Sequence, residues 1–190
     1  RTRRRLLAGA LALPLAAPLA TMAAEPALLQ RAIPRSGERL PAVGLGTWQV
    51  FDVPAGTPEY ADLQAVVTEF AAAGARVIDS SPMYGRAEAR VGDLTAGLRE
   101  RLFFATKVWT SGREAGIAQM RASLKLMRTP AIDLMQVHNL LDTDVHMRTM
   151  REWRAAGTLR YLGITHYHAG AHAALETLLK TREYDFVQFN

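Results

Sequence analysis

From about position 43 to the end of the chain, apolar residues follow two periodicities that take turns. Val43 to Trp48 is a short apolar run between turn residues and predicts a strand. Thr57 then offers an N-cap with Pro58 at the first helical position, and Leu63, Val66, Val67 and Phe70 recur at helical spacing until Gly74. Arg76 to Ser80 predicts a second strand, and Ala87 to Arg99 a second helix. Leu102 to Trp109 is a longer strand run; Ile117, Met120, Leu124 and Met127 mark one face of the next helix, stopped by Pro130. Ile132 to His138 predicts a strand, Val145 to Ala156 a helix and Leu159 to Tyr167 a strand. Ala169 to Lys180 predicts a helix, and Asp185 to Asn190 opens a last strand. Upstream, Glu25 to Pro41 is proline-rich and predicts a lead-in with a short hairpin.

Six strands separated by five helices predict an α/β fold built on a parallel sheet with helical crossovers, either doubly wound or closed as a barrel. A doubly wound dinucleotide fold carries G-x-G-x-x-G after its first strand. Here that turn reads Gly44-Leu45-Gly46-Thr47-Trp48, with no third glycine and a bulky Trp where a pyrophosphate needs bare backbone. The expectation is therefore a (β/α)8 TIM barrel. A complete one takes about 250 residues. Taking 24 residues from the 190 leaves 166, room for only about six βα units, so the chain is expected to stop about two units short at its C-terminus.

The charge balance changes the picture at the other end. There are 23 basic and 18 acidic residues, a net of +5, which by itself points toward nucleic acid or an anionic membrane. Four of the arginines, Arg1, Arg3, Arg4 and Arg5, precede an uncharged run from Leu6 to Ala24. Removing those four from the 23 leaves 19 basic against 18 acidic residues, and +1 gives no reason to expect nucleic acid. A basic start, an apolar Leu/Ala run and small residues at Ala20 to Ala24 are the parts of an export signal. Thr2-Arg3-Arg4-Arg5-Leu6-Leu7 resembles the twin-arginine signal, with Leu6 where Phe is usual. Pro14 and Pro18 interrupt the apolar run and argue against a membrane-spanning helix. The expected organisation is a signal peptide over 1–24, a lead-in over 25–38 and a barrel over 39–190. The twin-arginine machinery is the expected export partner, the expected destination is periplasmic or otherwise exported, and residue 1 being Arg suggests a longer reading frame.

No cysteine is present, which excludes a disulfide scaffold and a thiol nucleophile. What remains is a set of ionisable groups at strand ends, where a barrel builds its active site. Asp79 ends the second strand, Tyr84 lies in the following loop, Lys107 is near the end of the third strand and His138 closes the fourth. Singly, each has an ordinary reading: a turn-capping Asp, a packed Tyr, a satisfied core His. Lys107, between Thr106 and Val108 in an apolar strand, is costly to bury without a partner, and Asp79 is the natural one. Together they form one device. An ammonium beside a phenol is expected to lower the Tyr84 pKa from about 10, so that the phenol donates a proton to a developing alkoxide. His138, as a neutral donor, would orient the carbonyl oxygen.

Five segments then carry a family resemblance: Leu40-Pro41-Ala42-Val43-Gly44-Leu45-Gly46-Thr47-Trp48, Arg76-Val77-Ile78-Asp79-Ser80-Ser81-Pro82-Met83-Tyr84-Gly85, Ala105-Thr106-Lys107-Val108-Trp109, Asp133-Leu134-Met135-Gln136-Val137-His138 and Arg160-Tyr161-Leu162-Gly163-Ile164-Thr165. In this order and spacing the sequence resembles the aldo-keto reductase superfamily over about 39–190. The resemblance implies a (β/α)8 barrel that reduces small aldehydes and ketones with a nicotinamide cofactor, usually NADPH, NADH not being excluded. It maps a catalytic tetrad onto Asp79, Tyr84, Lys107 and His138. It also implies cofactor contacts at Gly46, Thr47, Asp79, Thr165, His166 and Gln188, and a substrate pocket formed by Trp48, Trp109 and His138. The two tryptophans have ordinary barrel-mouth packing as their alternative role. Thr165-His166 departs from the usual Ser-Asn; an imidazole there can donate to a carboxamide if its other nitrogen is satisfied.

Two rival functions use the same residues. His166 and His168, two apart on a strand, with His138 and Asp79 suggest a metal-dependent barrel hydrolase, which leaves Lys107 and Tyr84 unexplained. A barrel that binds cofactor without turnover, as in channel-partner members of the superfamily, is the other.

Overall fold

The structure is a computed structural model and describes residues 28–190. The expected signal peptide over 1–24 lies outside the described residues. The first described element is the expected hairpin, β1 (Gln30–Ala32) paired antiparallel with β2 (Arg39–Pro41). Its second strand directly precedes the main sheet, which opens at Gly44.

That sheet has six parallel strands in sequence order: β3 (Gly44–Gly46), β4 (Val77–Asp79), β5 (Phe103–Val108), β6 (Ile132–His138), β7 (Leu159–His166) and β8 (Phe186–Phe189). Helices α1 (Pro58–Ala72), α2 (Ala87–Leu94), α3 (Arg113–Leu126), α4 (Thr143–Ala155) and α5 (His172–Leu179) alternate with them. This is the six-unit, incomplete (β/α)8 barrel expected from the sequence. Thr57 caps α1 as its residue type demands, its hydroxyl accepting from the Tyr60 N–H at 3.3 Å, with Pro58 following. The second helix is shorter than expected. It ends at Leu94, because Thr95 turns its hydroxyl back onto the Val91 carbonyl and Gly97 adopts φ 79°; Arg99–Arg101 form a separate 3-10 turn. The last helix is also shorter, preceded by a 3-10 turn at Ala169–Ala171.

Strand alternation sorts the core into two layers. Ile78, Phe104, Val108, Met135, Val137, Leu162 and Ile164 pack outward with the helices, against Val67, Val91, Met120 and Met147. Phe103, Ala105, Leu134 and Tyr161 face the other way with Val77 and Phe186, and the hairpin residues Ile33 and Leu40 join them. The hairpin thus closes the N-terminal end of the sheet. Ion pairs and a hydrogen bond fasten it: Arg35 Nε reaches Asp185 at 2.6 Å, Arg160 spans Asp133 and Glu38, and the Tyr161 hydroxyl donates to Glu38 at 2.7 Å. With the N-terminal end plugged by aromatics and salt bridges, the C-terminal end is left for chemistry. Among the described residues, no helix is long and apolar enough to cross a membrane.

Candidate active site

The inward-facing register carries polar residues to the C-terminal end. Lys107 pairs with Gln136, Gln136 with Gly163, His138 with Thr165, and Thr165 with Gln188 across neighbouring strands, while Asp79 sits opposite Ala105. The layers beneath are Phe, Leu and Tyr, so among the described residues the polar side chains of the sheet interior gather at this end.

Lys107 is 1% exposed and donates to Asp79 Oδ2 at 2.7 Å and to the Ser80 carbonyl at 2.7 Å. The partner expected from sequence is the one found. Asp79 Oδ1 also accepts from Gln136 Nε2 at 3.2 Å, and Gln188 Nε2 lies 3.5 Å from Oδ2. Three side chains therefore hold one carboxylate. Gly163 makes this possible: a Cβ there would lie 3.0 Å from Gln136 Cγ and 3.0 Å from the Phe186 carbonyl.

Tyr84 is brought in by the turn after β4, in which its N–H bonds to the Ser81 carbonyl at 3.0 Å. The next residue, Gly85, has φ 61°, and a Cβ on it would collide with the Asp52 carboxylate. Asp52 itself accepts from the Arg86 N–H and guanidinium, tying the loop after β3 to the loop that carries Tyr84. Phe51, 1% exposed, anchors that first loop in the core while Trp48 points outward at 64%. The Lys107 ammonium lies over the Tyr84 ring, 5.1 Å from its centroid, and the Tyr84 and His138 rings meet edge to face at 6.2 Å.

Here one expectation is reversed. Lys107 does not lower the Tyr84 pKa; burial of the phenol and the Asp79 charge push it up to about 12. The reason is geometric: the ammonium gives its hydrogen bonds to Asp79 and Ser80, so its charge is compensated, and the Asp79 charge is felt at Tyr84. His138 behaves as expected of a neutral donor. Burial, then the positive charge of Lys107 and the neighbouring His166 ring, hold its pKa down at about 4.

Two adjoining cavities share Tyr84, His138 and Tyr167. One, of about 330 Å³, is also lined by Trp48, Met83 and Asn139. The other, of about 230 Å³, adds Lys107, Thr165, His166, Gln188 and Phe189. Trp48 thus lines the cavity expected of it. Trp109 stands at the rim instead, its ring 6.2 Å from that of His138 and its backbone clasped by the Gln119 amide. Gly46 leaves open backbone, since a Cβ there would meet nothing within 4 Å. Thr47 is fully buried, with its hydroxyl 3.1 Å from the Asp79 carbonyl and 3.0 Å from Ser80 Oγ. Its single proton serves the carbonyl, so it anchors the β3 turn to β4.

His166 meets the condition set by its chemistry. Its Nδ1 accepts from the His168 N–H at 3.1 Å, leaving Nε2–H as a donor. His168 Nδ1 likewise accepts from Gly170 N–H and caps the 3-10 turn. Among the described residues, no group of three or more His, Cys, Asp or Glu is arranged to hold a metal ion. Sequence reading missed Ser81, Gln136, Asn139 and Tyr167. Gln136 was within reach, being two residues before His138 and so on the same strand face. Asn139, in the left-handed region at φ 54° with a buried and unpartnered Oδ1, leaves no such signal.

Comparisons with known proteins bear on the family and the fold. Methylglyoxal reductase YeaE of Escherichia coli strain K12 is 34% identical over 144 residues, 72% of this chain and 49% of that protein. NADP-dependent D-sorbitol-6-phosphate dehydrogenase of Malus domestica is 27% identical over 165 residues, 70% of this chain and 50% of that protein. The chain thus spans about half the length of these curated relatives. A crystal structure of an aldo-keto reductase from Klebsiella pneumoniae in complex with NADPH superposes with a TM-score of 0.64 at 27% identity. It covers 74% of this chain and 51% of its own. The family model described as the aldo/keto reductase family matches residues 42–190, from the first strand of the sheet through the last. On that match and that barrel, the chain belongs to the aldo/keto reductase family.

Proposed function

We propose that the whole protein reduces a small aldehyde or ketone to an alcohol with NADPH, and that Tyr84 is the general acid. The observation that carries this reading is the convergence of Tyr84, His138 and the Lys107–Asp79 pair on two cavities that meet at Tyr84 and His138. The cleft beside β7 and β8 suits a flat ring bearing a carboxamide. Tyr167 offers an exposed aromatic surface, and Thr165, His166 Nε2–H and Gln188 offer hydrogen-bonding groups at strand ends. The NADPH complex of the Klebsiella relative supports the choice of cofactor.

When bound, the nicotinamide supplies the hydride. His138, neutral at physiological pH, donates a hydrogen bond to the carbonyl oxygen and polarises it. Tyr84, held protonated with a pKa of about 12, gives its proton to the oxygen as it becomes an alkoxide, a stronger base than the phenolate left behind. The Lys107–Asp79 ion pair lies under the phenol and holds the Tyr84 ring in place for the transfer. Trp48, Met83 and Tyr167 line the larger cavity with apolar surface and exclude water from the reacting carbon.

The test is a panel of aldehydes and ketones given to the whole protein with NADPH and, separately, NADH. Consumption of NADPH with at least one carbonyl substrate is expected. Tight NADPH binding without turnover of any of them would instead make this a cofactor-binding barrel.

A further inference from the structure

We propose that Ser81 is a positioning residue that fixes the tautomer of His138, donating its hydroxyl proton to Nδ1 so that the ring presents Nε2–H to the carbonyl oxygen. The proposal rests on the reductase reading above for its consequence, though not for the tautomer itself.

Ser81 Oγ lies 3.1 Å from His138 Nδ1, and Ser81 is fully buried. His138 is only 7% exposed and lines both cavities. A neutral imidazole has one donor nitrogen and one acceptor nitrogen, and its neighbours decide which is which. Suppose Nδ1 carried the proton and donated to Ser81 Oγ. The serine proton would then be buried with no acceptor, since His138 Nδ1 is the sole hydrogen-bond partner of Ser81 Oγ among the described residues. His138 would also show the carbonyl oxygen a lone pair. With the proton on Nε2, the serine hydroxyl donates to Nδ1, each buried polar atom is satisfied and the cleft receives a donor. Leaving a buried donor unmade is the costlier state.

The local chain supports the assignment. Ser80 N–H is fixed on the Ala105 carbonyl at 2.9 Å, and the Ser81 carbonyl accepts from the Tyr84 N–H at 3.0 Å. One short turn therefore sets both the proton donor and the residue that orients its partner. The charge facing His138 is that of Lys107, with the His166 ring beside it, and both oppose an imidazolium. The ring stays neutral, so its tautomer is what matters at working pH.

The test is imidazole nitrogen NMR of the whole protein labelled with 15N-histidine, with His138 assigned by its loss in His138→Asn. In the parent, Nδ1 is expected to read as the unprotonated acceptor and Nε2 as the protonated nitrogen. In Ser81→Ala the Nδ1 signal should lose its hydrogen-bonded shift and the single tautomer should give way to a mixture, with the other four histidine signals in place. Carbonyl reduction should fall on the order of 10-fold in kcat, with NADPH affinity unchanged. Ser81→Thr, which keeps the hydroxyl, should return both the tautomer and the rate. A proton on Nδ1 in the parent overturns the proposal even if the variants fail to fold. So does a Ser81→Ala spectrum identical to the parent's. A parent that shows the expected tautomer but reduces no carbonyl leaves the serine assignment standing and removes the reductase reading.

Discussion

The site's behaviour at the scale of single residues follows from how each charge is already spent. Lys107 has given its ammonium to Asp79 and Ser80, which is why Tyr84 rises to about 12 rather than falling. His138 is buried and lies near the Lys107 ammonium, which is why it falls to about 4. The signs make a pH prediction. Reduction needs Tyr84 protonated and His138 neutral. The raised Tyr84 pKa keeps the acid form through the neutral and alkaline range, and the lowered His138 pKa keeps the ring neutral well into acid. The kcat/KM for reduction should therefore be level between about pH 5 and pH 10. An acid limb near the ordinary histidine value of about 6.5 would show that His138 is solvated and not held as described. The sequence drew Asp79, Tyr84, Lys107 and His138 together because all four fall at or just after strand ends and Lys107 is costly to bury without a partner. It missed the environment of Tyr84 because residue type shows that Lys107 is near, yet not to which acceptors its protons are committed.

At the scale of elements, function depends on how β6, β7 and β8 lie against one another. The hydrophobic periodicity announced each strand and its order, and helix signals such as Thr57-Pro58 located a start to the residue. The end of α2 was less legible, since Leu98 continues the apolar spacing while Thr95 and Gly97 break the helix. Cross-strand register was not legible at all, and it is register that sets Gln136 beside Gly163 and against Asp79. A methyl group at that point is a direct probe. Gly163→Ala should push Gln136 off the carboxylate and cost about 1–3 kcal/mol of stability, read as a lower denaturation midpoint together with weaker reduction. Unchanged stability and rate would mean the three strands are less tightly packed than their spacing shows.

The whole molecule divides its work between two ends. The N-terminal end of the sheet is closed by the hairpin, an aromatic layer and the ion pairs of Glu38, Asp133 and Asp185. The C-terminal end carries the cavities. Four of the arginines behind the basic excess of the sequence precede Leu6, outside the described residues. We propose that these residues send the folded, cofactor-loaded protein out of the cytoplasm by the twin-arginine route. Replacing Arg3 and Arg4 by Lys should hold the whole protein inside the cell, as read by fractionation; unchanged export would contradict that route.

The central claim is that Tyr84 supplies the proton in carbonyl reduction, and Tyr84→Phe tests it most directly because the ring under the Lys107 ammonium is retained. Measured beside the parent on an aldehyde that the parent reduces, Tyr84→Phe should bind NADPH with the parent's affinity and lose about 10²–10⁴-fold in kcat/KM. A variant that binds NADPH and reduces the aldehyde at the parent's rate would contradict the account.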